Sequence, residues 1–241
     1  MIYWLFDVGN SRLKIAPVNN GYVGQVQATH YRTEDGFQQL GDILPSGDTA
    51  FVASVAPRLW TQQLLDALSK RFTHVHRVVP RASHGKLQIA YASAERLGVD
   101  RFLSLIAACQ NEQHILIVGV GTALTIDLLR ADGQHIGGSI TPSPTLMRSI
   151  LHTRAEHLPT TGGKYVIFAE NTEDALASGC EGAAIALISS RLHAAQQHLG
   201  HTVTLMLHGG GAGPLLDTFS HAVHRPSLVI EGLAIWAQSE L

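Results

Sequence analysis

The chain has no excess of either charge. Its 17 Lys and Arg stand against 19 Asp and Glu, a formal net charge of -2, so the basic footprint that a phosphate backbone selects is missing and nucleic-acid binding is not expected. Charge of any sign is scarce, at 15% of 241 residues, against about 25% in typical domains. So few solvating side chains point to a surface partly covered by a second subunit, a homodimer in the simplest case. Cysteine is almost lacking: Cys109 and Cys180 cannot build a disulfide framework or a CxxC metal site, and both are expected as buried thiols in a reducing compartment. No hydrophobic run is long enough for a membrane span, since the longest, Ile115 to Ile126, is broken by Gly and Thr and falls short of about 20 residues. The first seven residues carry no basic group before their apolar run and end in Asp7, unlike a signal peptide. A cytoplasmic protein without a membrane partner is expected. The 14 histidines form no HExxH pattern; His74 and His76 alternate along a strand, and His152 and His157 are poorly spaced for a helical ligand pair, so no histidine metal site is expected.

What is present is a core-forming content of 45% hydrophobic residues and an internal repeat. Shifting the chain by 112 positions lays Val8-Gly9 on Val120-Gly121 and Gly21 on Gly133, with strand, glycine turn, strand, glycine-containing turn and strand in each copy. The first copy reads Tyr3 to Phe6, Arg12 to Ala16 and Tyr22 to Val26; the second reads Ile115 to Val118, Leu124 to Leu129 and Gln134 to Ile140. Beyond each meander, apolar helices alternate with strands: a buried strand over Thr49 to Val55 and helices over Pro57 to Lys70 and Asp100 to Gln110. The second half continues with a long helix near Thr172 to Leu199, a strand over Thr202 to Leu207 and a last helix from Ser227. The expectation is a mixed α/β protein of two similar halves, 1–112 and 113–241, facing each other across a ligand cleft.

Three glycine-rich turns carry the chemistry. In Asp7-Val8-Gly9-Asn10-Ser11-Arg12-Leu13-Lys14, an acid ends a strand before a hairpin turn. An Asp there can hold hydrated magnesium, turn N–H groups can cradle phosphate, and Lys14 can neutralise charge. Taken alone it is equally a hairpin signal with a turn-bonding Asp. Gly119-Val120-Gly121-Thr122-Ala123 repeats the pattern in the second copy, which makes a pair of phosphate turns more specific than one. His208-Gly209-Gly210-Gly211-Ala212-Gly213 follows a strand and precedes a helix, a place where backbone can approach a base or ribose closely. Asp100-Arg101 at a helix start could serve a hydroxyl and a carboxylate of one substrate, or could simply be a helix-terminal acid and a solvated base.

Together these segments resemble the type III pantothenate kinase family, of the acetate and sugar kinase, chaperone and actin superfamily. The likeness spans nearly the whole chain. It rests on Asp7-Val8-Gly9-Asn10 with Lys14, Tyr91 with Gly98-Val99-Asp100-Arg101, Gly121-Thr122-Ala123, Gly137-Gly138-Ser139-Ile140-Thr141-Pro142, Asn171-Thr172 and Gly209-Gly210-Gly211. The resemblance implies a duplicated ribonuclease H-like (actin-like ATPase) fold and a homodimer. It further implies transfer of the ATP γ-phosphoryl group to pantothenate, giving 4'-phosphopantothenate in the first step toward coenzyme A. By motif match, ATP would be held by Asp7, Val8, Gly9, Asn10, Ser11, Arg12, Leu13, Lys14, Gly121, Thr122, Gly209 and Gly210, with Asp7 on Mg2+. Asp100 would be the general base, and Tyr91, Gly98, Val99 and Arg101 would line the pantothenate pocket, with Thr172 reaching in from the neighbouring subunit. The chain departs from the family at Gly119, where an acid associated with K+ or NH4+ is usual; backbone carbonyls or Asp127 are the candidates to compensate. A usual Pro is also missing from the Ala92-Ser93-Ala94 stretch. A sugar kinase of the same superfamily and a nucleotide-binding regulator without turnover are the alternatives.

Overall fold

The computed structural model describes residues 2–31, 41 and 43–241. The chain forms two compact units, Met1–Gln110 with Ser227–Leu241, and Asn111–Pro226.

In the first unit β1 (Ile2–Val8), β2 (Arg12–Asn19) and β3 (Tyr22–Val23) form an antiparallel meander, and β4 (Gln27–His30) also pairs with β2. β5 (Gly47–Ser54) joins the other edge of β1 in parallel, and β6 (Phe72–Arg77) lies parallel to β5. The crossover between those two strands is α1 (Arg58–Ser69), which buries Thr61, Leu64 and Leu68 at the three- and four-residue spacing of one helix face. Leu64 and Leu68 meet Phe6, Val8, Leu13, Ile15, Val52 and Phe72 in a single core. A small hairpin, β7 (Ser83–His84) with β8 (Leu87–Gln88), precedes α2 (Val99–Ala108), whose residues are almost all buried. The third strand expected over Tyr22 to Val26 stops early: the Gly24 N–H still reaches the Pro17 carbonyl opposite it at 2.8 Å, but proline has no N–H with which to return the bond.

The second unit repeats the plan. β9 (Ile115–Val120), β10 (Ala123–Leu129) and β11 (His135–Pro142) are the antiparallel meander, and β12 (Thr204–His208) and β13 (Val223–His224) add in parallel on the far side of β9. The strand orders β3-β2-β1-β5-β6 and β11-β10-β9-β12-β13 match position for position. That match is the duplicated ribonuclease H-like pattern. The connection from β11 to β12 holds α3 (Pro144–Arg154) and α4 (Thr172–Leu199). Both bounds of α4 follow from its caps: the Asn171 side chain accepts the Asp174 N–H, and Gly200 closes the far end at φ 66°. α5 (Gly213–Thr218) follows β12.

One boundary differs from the expected split at 112/113. The last helix, α6 (Leu228–Glu240), belongs to the first unit. It buries Leu228, Val229, Ile230, Leu233, Ala234, Trp236 and Ala237, too much of its circumference for a surface helix. Burial of each large side chain is worth about 1.5–3 kcal/mol. The surface that takes them is α2 together with β1 and β5, where Trp236 meets Phe51 edge-on at 5.9 Å. Its end is fixed by Arg81, which donates to both Glu240 carboxylate oxygens at 2.7 and 3.0 Å. Cys109 and Cys180 are free and buried.

Candidate active site

The first turn of the first unit is built by strand register. Asp7 on β1 lies directly opposite Lys14 on β2, and the Lys14 ammonium stands 3.6 Å from the Asp7 carboxylate. Between them Gly9 closes the turn with an N–H bond to the Arg12 carbonyl at 3.0 Å. Tyr31, which the sequence did not single out, donates its hydroxyl to the Gly9 carbonyl at 2.6 Å and fixes the turn from behind. Asp7 is only 8% exposed. Burial pushes its carboxyl up from 3.8 to about 6; Lys14 opposes the rise, and the Asp100 carboxylate adds to it. The structure therefore brings Asp7 and Asp100 into one electrostatic neighbourhood, which their sequence separation did not reveal.

Asp100 sits in the first turn of α2, where the helix dipole favours a carboxylate. One of its oxygens accepts the Arg101 N–H at 2.9 Å, so part of the helix-terminal role is real, although the residue at the N-cap is Gly98, which makes no side-chain cap. A Cβ on Gly98 would lie 2.6 Å from an Asp100 carboxylate oxygen; glycine is what leaves that oxygen its place. Arg101 is not a solvated base. It is 5% exposed, donates to the Tyr91 hydroxyl at 3.1 Å, and carries its guanidinium 5.8 Å from the centre of the Tyr91 ring. A buried, oriented cation beside a helix-start carboxylate can bind a carboxylate-bearing substrate at one end and reach its hydroxyl at the other.

In the second unit, the turn between β9 and β10 exposes Gly121 and Thr122, with the Gly121 N–H bonded to the Ala123 carbonyl at 2.9 Å. The glycine cluster after β12 lies against this turn: Gly211 donates to the Val120 carbonyl at 3.0 Å. Gly209, at φ 92°, presses on the same carbonyl so closely that a Cβ would overlap it. Both the left-handed backbone and the contact exclude other residues there. Thr172 is exposed at the first position of α4, beside its cap Asn171. Asp127, a candidate to compensate for Gly119, is buried and paired with His135 Nε2 at 3.0 Å.

The residues around Gly119 are a second feature that the sequence did not disclose. A side chain at this position would meet the Thr125 hydroxyl at 2.7 Å and the His208 ring at 2.8 Å. His208 had been grouped only with the glycines that follow it. The missing signal was strand register, which sets Thr125, Gly119 and His208 side by side.

Comparison with known proteins bears on the whole chain. A family model described as type III pantothenate kinase matches residues 3–194. The type III pantothenate kinase of Stenotrophomonas maltophilia strain K279a is 54% identical over 234 residues, 97% of this chain and 96% of that protein. Those of Xylella fastidiosa strain 9a5c and Xanthomonas axonopodis pv. citri strain 306 are 52% and 51% identical, over 97% and 98% of this chain and 96% and 98% of theirs. Among solved structures, one described as a Baf family transcriptional activator from Campylobacter jejuni aligns with a TM-score of 0.64 at 21% identity, over 99% of this chain and 100% of that one. The activator of 2-hydroxyisocaproyl-CoA dehydratase from Clostridium difficile, with bound ADPNP, aligns at 0.54 and 12% identity, over 100% and 95%. At these identities the structures share the fold alone, whereas the family match and the relatives above half identity extend to the sequence: the chain belongs to the type III pantothenate kinase family.

Proposed function

We propose that this chain transfers the γ-phosphoryl group of ATP to the hydroxyl of pantothenate, forming 4'-phosphopantothenate at the entry to coenzyme A biosynthesis. The observation that carries this reading is the Asp100-Arg101-Tyr91 cluster. It supplies a buried cation for the substrate carboxylate and, on the adjacent residue, a carboxylate for the hydroxyl that attacks. Gly98 and Val99 form the helix start that aims both. A neutral sugar offers no carboxylate to Arg101, which favours pantothenate over hexoses as substrate. The intact Asp7, Lys14, Asp100 and Arg101 likewise favour turnover over a purely regulatory role.

Phosphoryl transfer needs positioning and charge stabilisation more than covalent help. Asp100 accepts the hydroxyl proton or a hydrogen bond from it and holds the oxygen in line. Lys14 and the turn N–H groups of Val8 to Leu13 take the phosphate charge, with Gly121, Thr122, Gly209 and Gly210 as the remaining nucleotide contacts. The donor chemistry of Asp7 fits magnesium, a hard cation satisfied by one or two carboxylates and water. A buried carboxylate driven up to about 6 also gains most from such a partner. When bound, the ion would neutralise phosphate charge. The position from which a family acid would serve K+ or NH4+ is Gly119, where there is no carboxylate and where the Thr125 hydroxyl and His208 ring would have to move to admit one, so no step is assigned to a monovalent cation.

We assign the protein to the cytoplasm as a homodimer. Two free buried thiols support the first. The exposed apolar side chains of the second unit support the second: Ile140, Leu151, Tyr165, Ile167 and Phe168, the last 91% exposed, with the 163–168 segment bonded onto α4 through Val166 and Ser178. Thr172, at the start of the same helix, is then available to a partner's substrate.

The test is formation of phosphopantothenate by the purified protein with ATP and Mg2+, with a hexose and other hydroxyl acceptors as competitors. Product from pantothenate alone is expected. Bound ATP without product from any acceptor would refute the kinase reading in favour of the regulator.

A further inference from the structure

The two units differ at one equivalent spot. The 112-residue repeat places Gly119 on the position of Asp7, and the strand neighbours correspond as well. In the first unit Asp7 stands between Lys14 on one side and Ala53 on the other. In the second, Gly119 stands between Thr125 and His208. The large and small residues have therefore exchanged places: an acid beside an alanine in one unit, a glycine beside a histidine in the other. The exchange is spatial, because the His208 ring fills the room that a side chain on Gly119 would need, with Nε2 2.8 Å and Cε1 3.0 Å from that Cβ position. Chemically it is an inversion. An acceptor that recruits cations is replaced by an imidazole, which in either tautomer carries an N–H.

His208 is also the residue that joins the two glycine turns. It ends β12 immediately before Gly209, and Gly209 and Gly211 close on Val120, which follows Gly119. The ring is half-buried, with the Thr125 hydroxyl on the other side of the same Gly119 position.

We propose that His208 makes the second turn a phosphate-binding site that works without a monovalent cation, an imidazole N–H donating to phosphate in place of the contact that a bound K+ or NH4+ would supply. The proposal rests on the kinase reading for its substrate but not for its first readout, nucleotide affinity, which needs no pantothenate. In the arrangement so described, the turn at Asp7 offers an acceptor to a cation, while the turn at Gly119 offers a donor to phosphate.

The experiment titrates the purified chain with a fluorescent ADP or ATP analogue and Mg2+ in a buffer whose only monovalent cation is tetramethylammonium, and repeats it with K+ and with NH4+. The rate of phosphopantothenate formation is measured alongside. Neither affinity nor rate should change by more than about threefold, since a cation stabilises a complex only by binding it preferentially. His208→Ala should weaken nucleotide binding about tenfold or more, the usual loss for a hydrogen bond to a charged group. His208→Gln, which keeps an N–H donor, should recover part of it and guards against a mere folding defect. The double variant Gly119→Asp with His208→Ala rebuilds the arrangement of the first turn and should acquire a K+ or NH4+ response. A wild-type chain activated or tightened beyond threefold by K+ or NH4+ would overturn the proposal, as would unchanged nucleotide affinity in His208→Ala. If no phosphopantothenate forms under any condition, the kinase reading fails while the nucleotide titration still decides the role of His208.

Discussion

Gly232→Ala is the substitution whose cost the structure defines most sharply. Gly232 lies on α6 where it crosses α2, and a Cβ there would sit inside the carbonyl oxygen of Leu103 and 2.6 Å from the Leu103 carbonyl carbon. The obstruction is helix backbone, which cannot rotate away as a side-chain end can. The two helices must part by about 1 Å, and a gap of that size forfeits a quarter to a half of the dispersion energy along a close-packed seam. The seam here includes Phe102, Leu103, Ile106, Val229, Leu233 and Trp236, all buried. Overpacking of this kind costs about 3 kcal/mol, which for a chain of this size lowers the melting temperature by roughly 6–12 °C. Function should suffer too, because α2 carries Asp100 and Arg101 at its start. Circular dichroism melts and steady-state kinetics read both effects. Gly179→Ala is the control, since that helical glycine has nothing within 4 Å of its Cβ position; there the same change should stabilise by about 0.5–1 kcal/mol through helix propensity alone. A Gly232→Ala protein that melts with the wild type, beside a stabilised Gly179→Ala, would show that the α2–α6 crossing does not depend on backbone contact at this glycine.

Asp7→Asn should abolish turnover yet stabilise the metal-free protein at alkaline pH. The folded-state carboxyl is raised, mainly by burial, to about 6 from 3.8, so its favourable contribution is complete below 3.8 and is lost as pH rises through 6. At pH 8 the amide should then be ahead by about 2–3 kcal/mol, with the gap closing near pH 4, and equal melts at both pH values would refute the burial argument. Arg101→Lys replaces a planar fork held against Tyr91 by a point charge; the KM for pantothenate should rise about tenfold or more with a smaller change in kcat, and an unchanged KM would remove Arg101 from the pocket. Asp100→Asn should lower kcat by about 100-fold or more while leaving nucleotide affinity intact, and near-normal turnover would exclude it as base.

Much of this was legible in the chain because it is local. A strand, a glycine turn and a second strand are encoded within about a dozen residues, and both meanders formed, the first with a third strand cut to Tyr22–Val23 and with Asp7 falling opposite Lys14. The helix over Thr172–Leu199 kept its expected bounds because Asn171 and Gly200 cap it. What could not be read were relations between distant segments. Nothing in the order of residues told that α6 would choose α2 and β1 rather than the unit it follows in sequence; the choice depends on which surface can take an all-round apolar helix, and Gly232 has meaning only once Leu103 lies against it. Asp100 acquires its influence on Asp7 in the same way.

Gly119 shows how such a relation changes a conclusion. Along the chain it is a lost acid, and a lost acid suggests a weakened nucleotide site. Across the sheet it is one partner of an exchange between the two units, in which the His208 ring fills the room that a side chain on Gly119 would need. A decayed site would leave a gap beside Gly119 or an unrelated apolar filler, and packing would then select for volume only. The ring found there is polar, carries an N–H and sits at the joint of two glycine turns. The departure from the family's pattern is thus better accounted for by a changed means of contacting phosphate than by loss of the ability to bind it.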